Sequence, residues 1–326
     1  MRNTRLSTLA AIGTAVALAL TGCGDDSADG ADSAGEPSAA TTRTVEDTFT
    51  GTVTGVPTKP KRIVALWRTG SELADIGVVP VGALQDEFLA EELGADVYAK
   101  VSKVPTVGSF EGVDVEKVIA VKPDLILGMD NGGLTIDYKE LSQVAPTVIL
   151  KIAEPTDVWA NYEKIADLAG VSTDFSEQKK DLDAALKKVA DAYGSKVGSL
   201  KVTALGSFDG AAISVDTSKS LTYQRIDAAG FGYNAKYTAN PERYVAELAL
   251  ENIPDLADQD IIFYDTDLNG KPLNSVQKIL DEPAFKRLPA AQKGHVYPLT
   301  SGNIYTFEAG LAQARDLEAA AKDYTS

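Results

Sequence analysis

The chain has 326 residues, 44% hydrophobic and 24% charged, a composition that suits one large or two moderate globular domains. Its formal net charge is −16, and loss of a leader carrying Arg2 and Arg5 would take it to −18. Such an excess of carboxylates argues against nucleic acid, which is bound through Lys and Arg on its phosphates, and against a polybasic membrane patch.

Arg2 and Arg5 form a short basic region, and Leu6 to Leu20 is an apolar run. A comfortable transmembrane helix needs about 20 apolar residues, so the run is too short for one. It matches the central region of a secretory signal peptide covering residues 1–22. The run ends in Leu20-Thr-Gly-Cys23, which resembles a bacterial lipobox, and Cys23 is expected to carry a lipid anchor. A dual-acyl anchor holds a protein stably on a membrane where a single chain does so only marginally. Cys23 is the only cysteine, which excludes an internal disulfide and a cysteine-rich metal site. Residues 23–44 are Asp, Ser, Ala and Gly with almost no large apolar side chain, and read as a flexible tether.

From about Lys61 the pattern becomes α/β. Arg62–Leu66 reads as a buried strand, Ser71–Ile76 as a short helix closed by Gly77, and Val78–Gly82 as another strand. Glu116–Val121 reads as helical, Asp124–Leu127 and Ala145–Leu150 as strands, and Pro155–Ala169 as a helix stopped by Gly170. The second half repeats this grammar. Lys201–Leu205 parallels Arg62–Leu66, and Ser220–Ala229 is a helix closed by Gly230. Glu251–Leu256 leads into the strand Asp260–Tyr264, as Glu116 leads into Asp124–Leu127. Strands alternating with helices imply βαβ units and mainly parallel sheets. Two copies imply two α/β lobes, 45–172 and 194–326.

Between the copies, Leu182, Leu186, Val189 and Tyr193 fall at helical spacing and form one apolar stripe over 173–193. Thr173 or Asp174 could cap the start of that helix, and Gly194 follows its end. Some 20 residues of helix would span roughly 30 Å, enough for a stiff strut between lobes. An ordinary surface helix within one domain has the same spacing.

Patterns that carry catalysis are missing. His295 is the only histidine and sits in a turn-like stretch, whereas zinc and manganese sites usually draw on several His or Cys ligands. There is no G-x-S-x-G elbow and no P-loop. Gly230-Phe-Gly-Tyr-Asn-Ala235 matches a loose dinucleotide fingerprint, but it follows a helix where a strand is required. The expectation is a binding protein with no enzyme activity, no direct metal ligation and no cofactor.

In parallel α/β sheets, ligands bind beyond the carboxyl ends of the strands. Those ends supply Trp67 and Arg68, then Met129, Asp130 and Asn131, then Phe208 and Asp209, then Tyr264 and Asp265. Nearby loops add Ser109, Phe110, Tyr223, Arg225, Asn303, Tyr305 and Phe307. Flat aromatic walls with a few fixed hydrogen-bonding groups describe a small-molecule cleft.

Four segments resemble one family, the iron–siderophore-binding lipoproteins of bacterial ABC importers. They are Pro60–Leu66, Leu73–Gly82, Val107–Leu127 and Phe285–Tyr297, and the third is the most specific. The resemblance implies the class III substrate-binding fold, two lobes with mainly parallel sheets joined by one long helix. It implies a monomer, lipid-anchored on the outer face of the cell membrane, that takes a ferric siderophore between the lobes. It also implies that Glu116 and Glu251, one per lobe, dock on arginines of an ABC permease. A tris-catecholate carries about three negative charges and calls for clustered Lys or Arg, whereas the expected cleft offers only Arg68 and Arg225. A neutral or cationic ferric tris-hydroxamate such as a ferrioxamine fits better. Haem, a cobalamin or a catecholate on the same scaffold are alternatives, as is an extracytoplasmic enzyme or adhesin.

Overall fold

A computed structural model of the protein describes residues 41–273 and 275–325. The leader, Cys23 and most of the expected tether lie outside the described residues. The tether ends sooner than expected, because Thr42 already opens a strand. Strands β1 (Thr42–Thr48) and β2 (Gly51–Pro57) form an antiparallel hairpin against the first lobe, with Phe49 N–H donating to Ile149 O at 2.7 Å.

Two separate sheets follow. In the first lobe β3 (Ile63–Ala65), β4 (Gly82–Leu84), β5 (Thr106–Ser109), β6 (Gly112–Val113), β7 (Leu125–Asp130) and β8 (Thr147–Lys151) lie in the order β6-β5-β4-β3-β7-β8. All neighbours run parallel except the short β6. In the second lobe β9 (Val202–Gly206), β10 (Ala212–Asp216), β11 (Val245–Ala249), β12 (Ile261–Thr266) and β13 (Val296–Thr300) lie in the order β11-β10-β9-β12-β13. The internal repeat is visible in the parallel triads β3-β7-β8 and β9-β12-β13. Their central strands are buried on both faces, which is why they read as continuous apolar runs. Beyond the triad the repeat fails. Where the first lobe continues with parallel β4, the second turns back into antiparallel β10 and β11.

Other expectations shift locally. The strand expected at Val78–Gly82 forms at Gly82–Leu84, since Pro80 has no N–H to give a ladder and only Val81 N–H reaches Ile63 O. The helix expected over Pro155–Ala169 divides at Asn161 into Thr156–Ala160 and Tyr162–Ala169. Glu251–Leu256 is a 3₁₀ helix, Leu250–Leu256, with Pro254 inside it. The hairpin, β10, β11 and the C-terminal helix Phe307–Tyr324 were not legible in the pattern.

One long helix, Ser172–Val197, joins the lobes. Leu182, Leu186 and Val189 are buried and Tyr193 half-buried, so the stripe faces inward as its spacing requires. Its start carries no side-chain cap; Thr173 and Asp174 lie inside the first turn. Nor does Gly194 stop it. Gly194 lies where the helix backbone meets Gly230, which has φ of +81°, and a Cβ on Gly230 would sit 3.2 Å from Gly194 Cα. The two glycines permit close approach, and buried Val197 ends the helix.

At the seam between the lobes, Phe307 opens the C-terminal helix amid aromatic rings of the first lobe and the long helix. Its ring centroid is 5.1 Å from Tyr162, 5.2 Å from Trp159 and 5.3 Å from Phe175. Asp75, at the end of the helix Gly70–Asp75, reaches across the same seam. Its carboxylate accepts from Phe307 N–H at 2.6 Å, Glu308 N–H at 3.4 Å and the Tyr162 hydroxyl at 2.7 Å. Its backbone carbonyl accepts from Gln178 of the long helix at 3.2 Å. In return the Glu308 carboxylate accepts from Gly94 N–H of the first lobe at 3.0 Å. Emptying the centre of this seam with Phe307→Ala is expected to cost about 3–5 kcal/mol. Urea unfolding checks this, and an unchanged midpoint would contradict it.

Candidate functional site

Three cavities of about 140, 220 and 70 Å³ adjoin between the lobes, and Arg68 and Tyr305 bound all three. Arg68 lies three residues past the end of β3 and adopts φ of +60°, a left-handed conformation uncommon outside glycine. Glu87 holds the turn. Its Oε1 accepts from Thr69 N–H at 2.9 Å and Gly70 N–H at 2.7 Å, and a side chain at position 70 would collide with Glu87 Cγ. The Arg68 guanidinium then lies 5.8 Å from the Trp67 ring and 5.4 Å from the Tyr305 ring. The opposite wall, Asn303 to Thr306, leads into the C-terminal helix that Asp75 caps. The two walls therefore start from the two ends of the Asp75 contact.

The expected residues divide. Trp67, Arg68, Phe110, Asn131, Phe208, Asn303 and Tyr305 line the cleft. Phe110 packs edge-on to Trp67 at 6.1 Å, while Phe208 is 66% exposed at the rim. The other six lie elsewhere. Met129 and Phe307 are fully buried in the core. Tyr264 packs into the second lobe's core, and Tyr223 lies edge-on to Tyr233 at 5.0 Å. Ser109 accepts from Glu111 N–H at 3.2 Å and lines none of the three cavities. Arg225 is 3% exposed, donates to Gln313 Oε1 at 3.1 Å and lies 4.7 Å over Trp159, so it belongs to the seam. Strand ends identify the correct edge of each sheet, but successive side chains point to opposite faces, and only one set reaches the cleft.

The acidic side of the cleft differs from the strand-end expectation. Asp130 holds Tyr138 hydroxyl at 2.6 Å and Gly132 N–H at 2.7 Å, and Asp209 accepts from Ala211 N–H at 2.8 Å; neither lines it. Asp265 does, together with Glu72, Asp86, Glu87, Glu92, Glu154 and Asp216. Asp216 ends β10, which runs antiparallel to β9, so the strand-end rule for parallel sheets gives no signal for it. Glu72 lies one helical turn past Arg68 and carries no other signal. Among the described lining residues of these cavities Arg68 is the sole cation.

Burial pushes the Glu72 carboxyl well above its ordinary range, with repulsion from Glu87 adding to it. Burial likewise takes Glu87 up to about 7, against the pull of the Gly70 and Thr69 amides. Asp216 rises to about 7 through burial, and Asp265 goes higher through burial and repulsion from Asp216.

The periodic repeat, the long helix and the enclosed cleft agree with a family match. The family described as periplasmic binding protein matches residues 73–302. The chain belongs to this family. Among relatives, the Bacillus subtilis lipoprotein YhfQ, named for ABC-transporter substrate binding, is 26% identical over 263 residues, covering 75% of this chain and 77% of its own length. The Bacillus subtilis iron(3+)-hydroxamate-binding protein FhuD is 27% identical over 261 residues, covering 77% of each chain. In fold, the siderophore periplasmic binding protein from the fuscachelin gene cluster of Thermobifida fusca superposes with a TM-score of 0.70 at 22% identity. That match covers 82% of this chain and 98% of the other. In this binding protein, Glu116 and Glu251 are both exposed in the first turn of a helix, one per lobe.

Carboxyl groups whose pKa is raised by folding stabilise the protein at low pH and lose that contribution as pH rises through the folded value. For Glu87 and Asp216 the window runs from their ordinary values of 4.5 and 3.8 up to about 7. The ligand-free protein is therefore expected to melt at a lower temperature at pH 8 than at pH 5, and Asp216→Asn is expected to flatten that slope. Calorimetry across the range checks both; a melting temperature that climbs from pH 5 to pH 8 would contradict them.

Proposed function

We propose that this binding protein is the substrate-binding lipoprotein of an ABC importer and captures a ferric siderophore between its lobes, the chelate being a neutral or cationic tris-hydroxamate. One observation carries this reading: a cleft walled by Trp67, Phe110, Tyr244 and Tyr305 sets a single arginine against seven carboxyl groups. A chelate with several negative charges would meet repulsion there, whereas a neutral or positive one would not. Arg68 donates to the hydroxamate oxygens, the rings cover the aliphatic linkers, and the siderophore itself holds the iron. The hydroxamate ligand named for FhuD supports the same class. The protein acts as a monomer held to the outer face of the membrane through Cys23, and Glu116 and Glu251 dock it on the permease.

Trp67 in the cleft and Trp159 at the seam give a fluorescence signal for titration. A ferric tris-hydroxamate is expected to bind more tightly than a ferric tris-catecholate, and the opposite order would overturn the ligand class. The double variant Glu116→Lys, Glu251→Lys is expected to keep wild-type affinity for the chelate while abolishing radiolabelled iron uptake by cells. Undiminished uptake would remove the docking role.

A further inference from the structure

The second lobe's part of the cleft contains a pair of carboxylates that the protein leaves without a counter-charge. Asp216 ends β10 and Asp265 lies in β12, on either side of β9. Both line the cavity of about 220 Å³, with 4% and 9% of their surfaces exposed. Gly206 of β9 makes room beside Asp265, since a Cβ there would lie 2.8 Å from Asp265 Oδ2. Neither carboxylate forms a salt bridge among the described residues, and Asp265 Oδ1 has no hydrogen-bond partner among them. Among the described residues, the hydroxyls of Ser220 and Thr222 attend Asp216 and that of Ser301 attends Asp265. The contrast with the first lobe is direct, because Glu72, Glu87 and Glu92 all feel the charge of Arg68.

Two buried carboxyls with an unused acceptor facing a cavity either stay protonated or ionise to meet a cation that enters it. Among the described residues no three His, Cys, Asp or Glu side chains gather closely enough to hold a metal ion, so the demand is for an organic cation. We infer that Asp216 and Asp265 form a subsite for a protonated primary amine carried by the ligand. An ammonium group brings three donors, enough for both carboxylates and one neighbouring hydroxyl. Two ionised aspartates would then face the ammonium from one side while Arg68 faces the chelate core from the other. Specificity within the siderophore class follows: the cleft selects linear chelates with a free amine terminus over those whose terminus is capped. This inference rests on the siderophore reading above.

The test compares one linear ferric tris-hydroxamate bearing a terminal amine with the same chelate acetylated on that amine, by tryptophan fluorescence on the full-length protein. The acetylated form is expected to bind about tenfold or more weakly, as loss of a charge-assisted hydrogen bond implies. Asp265→Asn and Asp216→Asn are expected to erase most of that preference, read as the ratio of the two affinities within each variant. The wild-type comparison stands without the variants, and a thermal melt of each variant confirms its fold. Equal wild-type affinity for the two chelates would overturn the subsite and leave the siderophore reading intact. Binding of neither would overturn both.

Discussion

The carboxylate of Asp75 joins the first lobe to the helix that follows one wall of the cleft. It caps the C-terminal helix of the second lobe through the amides of Phe307 and Glu308, and it accepts the hydroxyl of Tyr162 from its own lobe. A helix start has donors that no turn of its own can satisfy, and a carboxylate there also meets the positive end of the helix dipole. Here that requirement is met across a lobe boundary. The residues just before the capped helix, Asn303 to Thr306, form one wall of the cleft, and the short helix that ends in Asp75 begins just after Arg68 on the other. Three rings, Trp159, Tyr162 and Phe175, pack stacked and edge-on around Phe307 beside the contact. Burial raises the Asp75 carboxyl to about 6, opposed by those same hydrogen bonds.

How much of this was legible in the residues follows from what each pattern can encode. Parallel strands buried on both faces announce themselves as unbroken apolar runs, so β3, β7, β8, β9 and β12 were readable, and so was the stripe Leu182, Leu186, Val189. Ala212–Asp216 and Val245–Ala249 mix polar with apolar residues as antiparallel partners do, and their pairing spans a gap that no local rule closes. Gly194 looked like a helix stop because a glycine at a helix end usually is one. Its partner Gly230, distant in sequence, makes it a contact point instead.

The site was legible to a similar depth. Trp67 and Arg68 follow from the strand-end rule, and Phe110 and Tyr305 from their position in loops beside it. Arg225 and Phe307 failed because each heads inward from a helix whose facing depends on the lobe seam, which is a tertiary fact. The carboxylates were the larger omission. In a chain this acidic, any single Asp or Glu reads as a solvated surface charge, and only the fold collects Glu72, Glu87, Asp216 and Asp265 around one cleft. On that gathering rests the proposed preference for a neutral or cationic ligand, since carboxyls raised by burial ionise more readily beside a positive charge.

Amide hydrogen exchange, read residue by residue on the ligand-free protein, tests the cross-lobe clamp most directly. If Asp75 and the ring cluster fix the two lobes, the Phe307 and Glu308 amides exchange as slowly as the core amide of Phe263 in β12, opening only when the whole molecule unfolds. Exchange at Phe307 and Glu308 that is orders of magnitude faster than at Phe263 would show the seam opening on its own, and the clamp would be refuted.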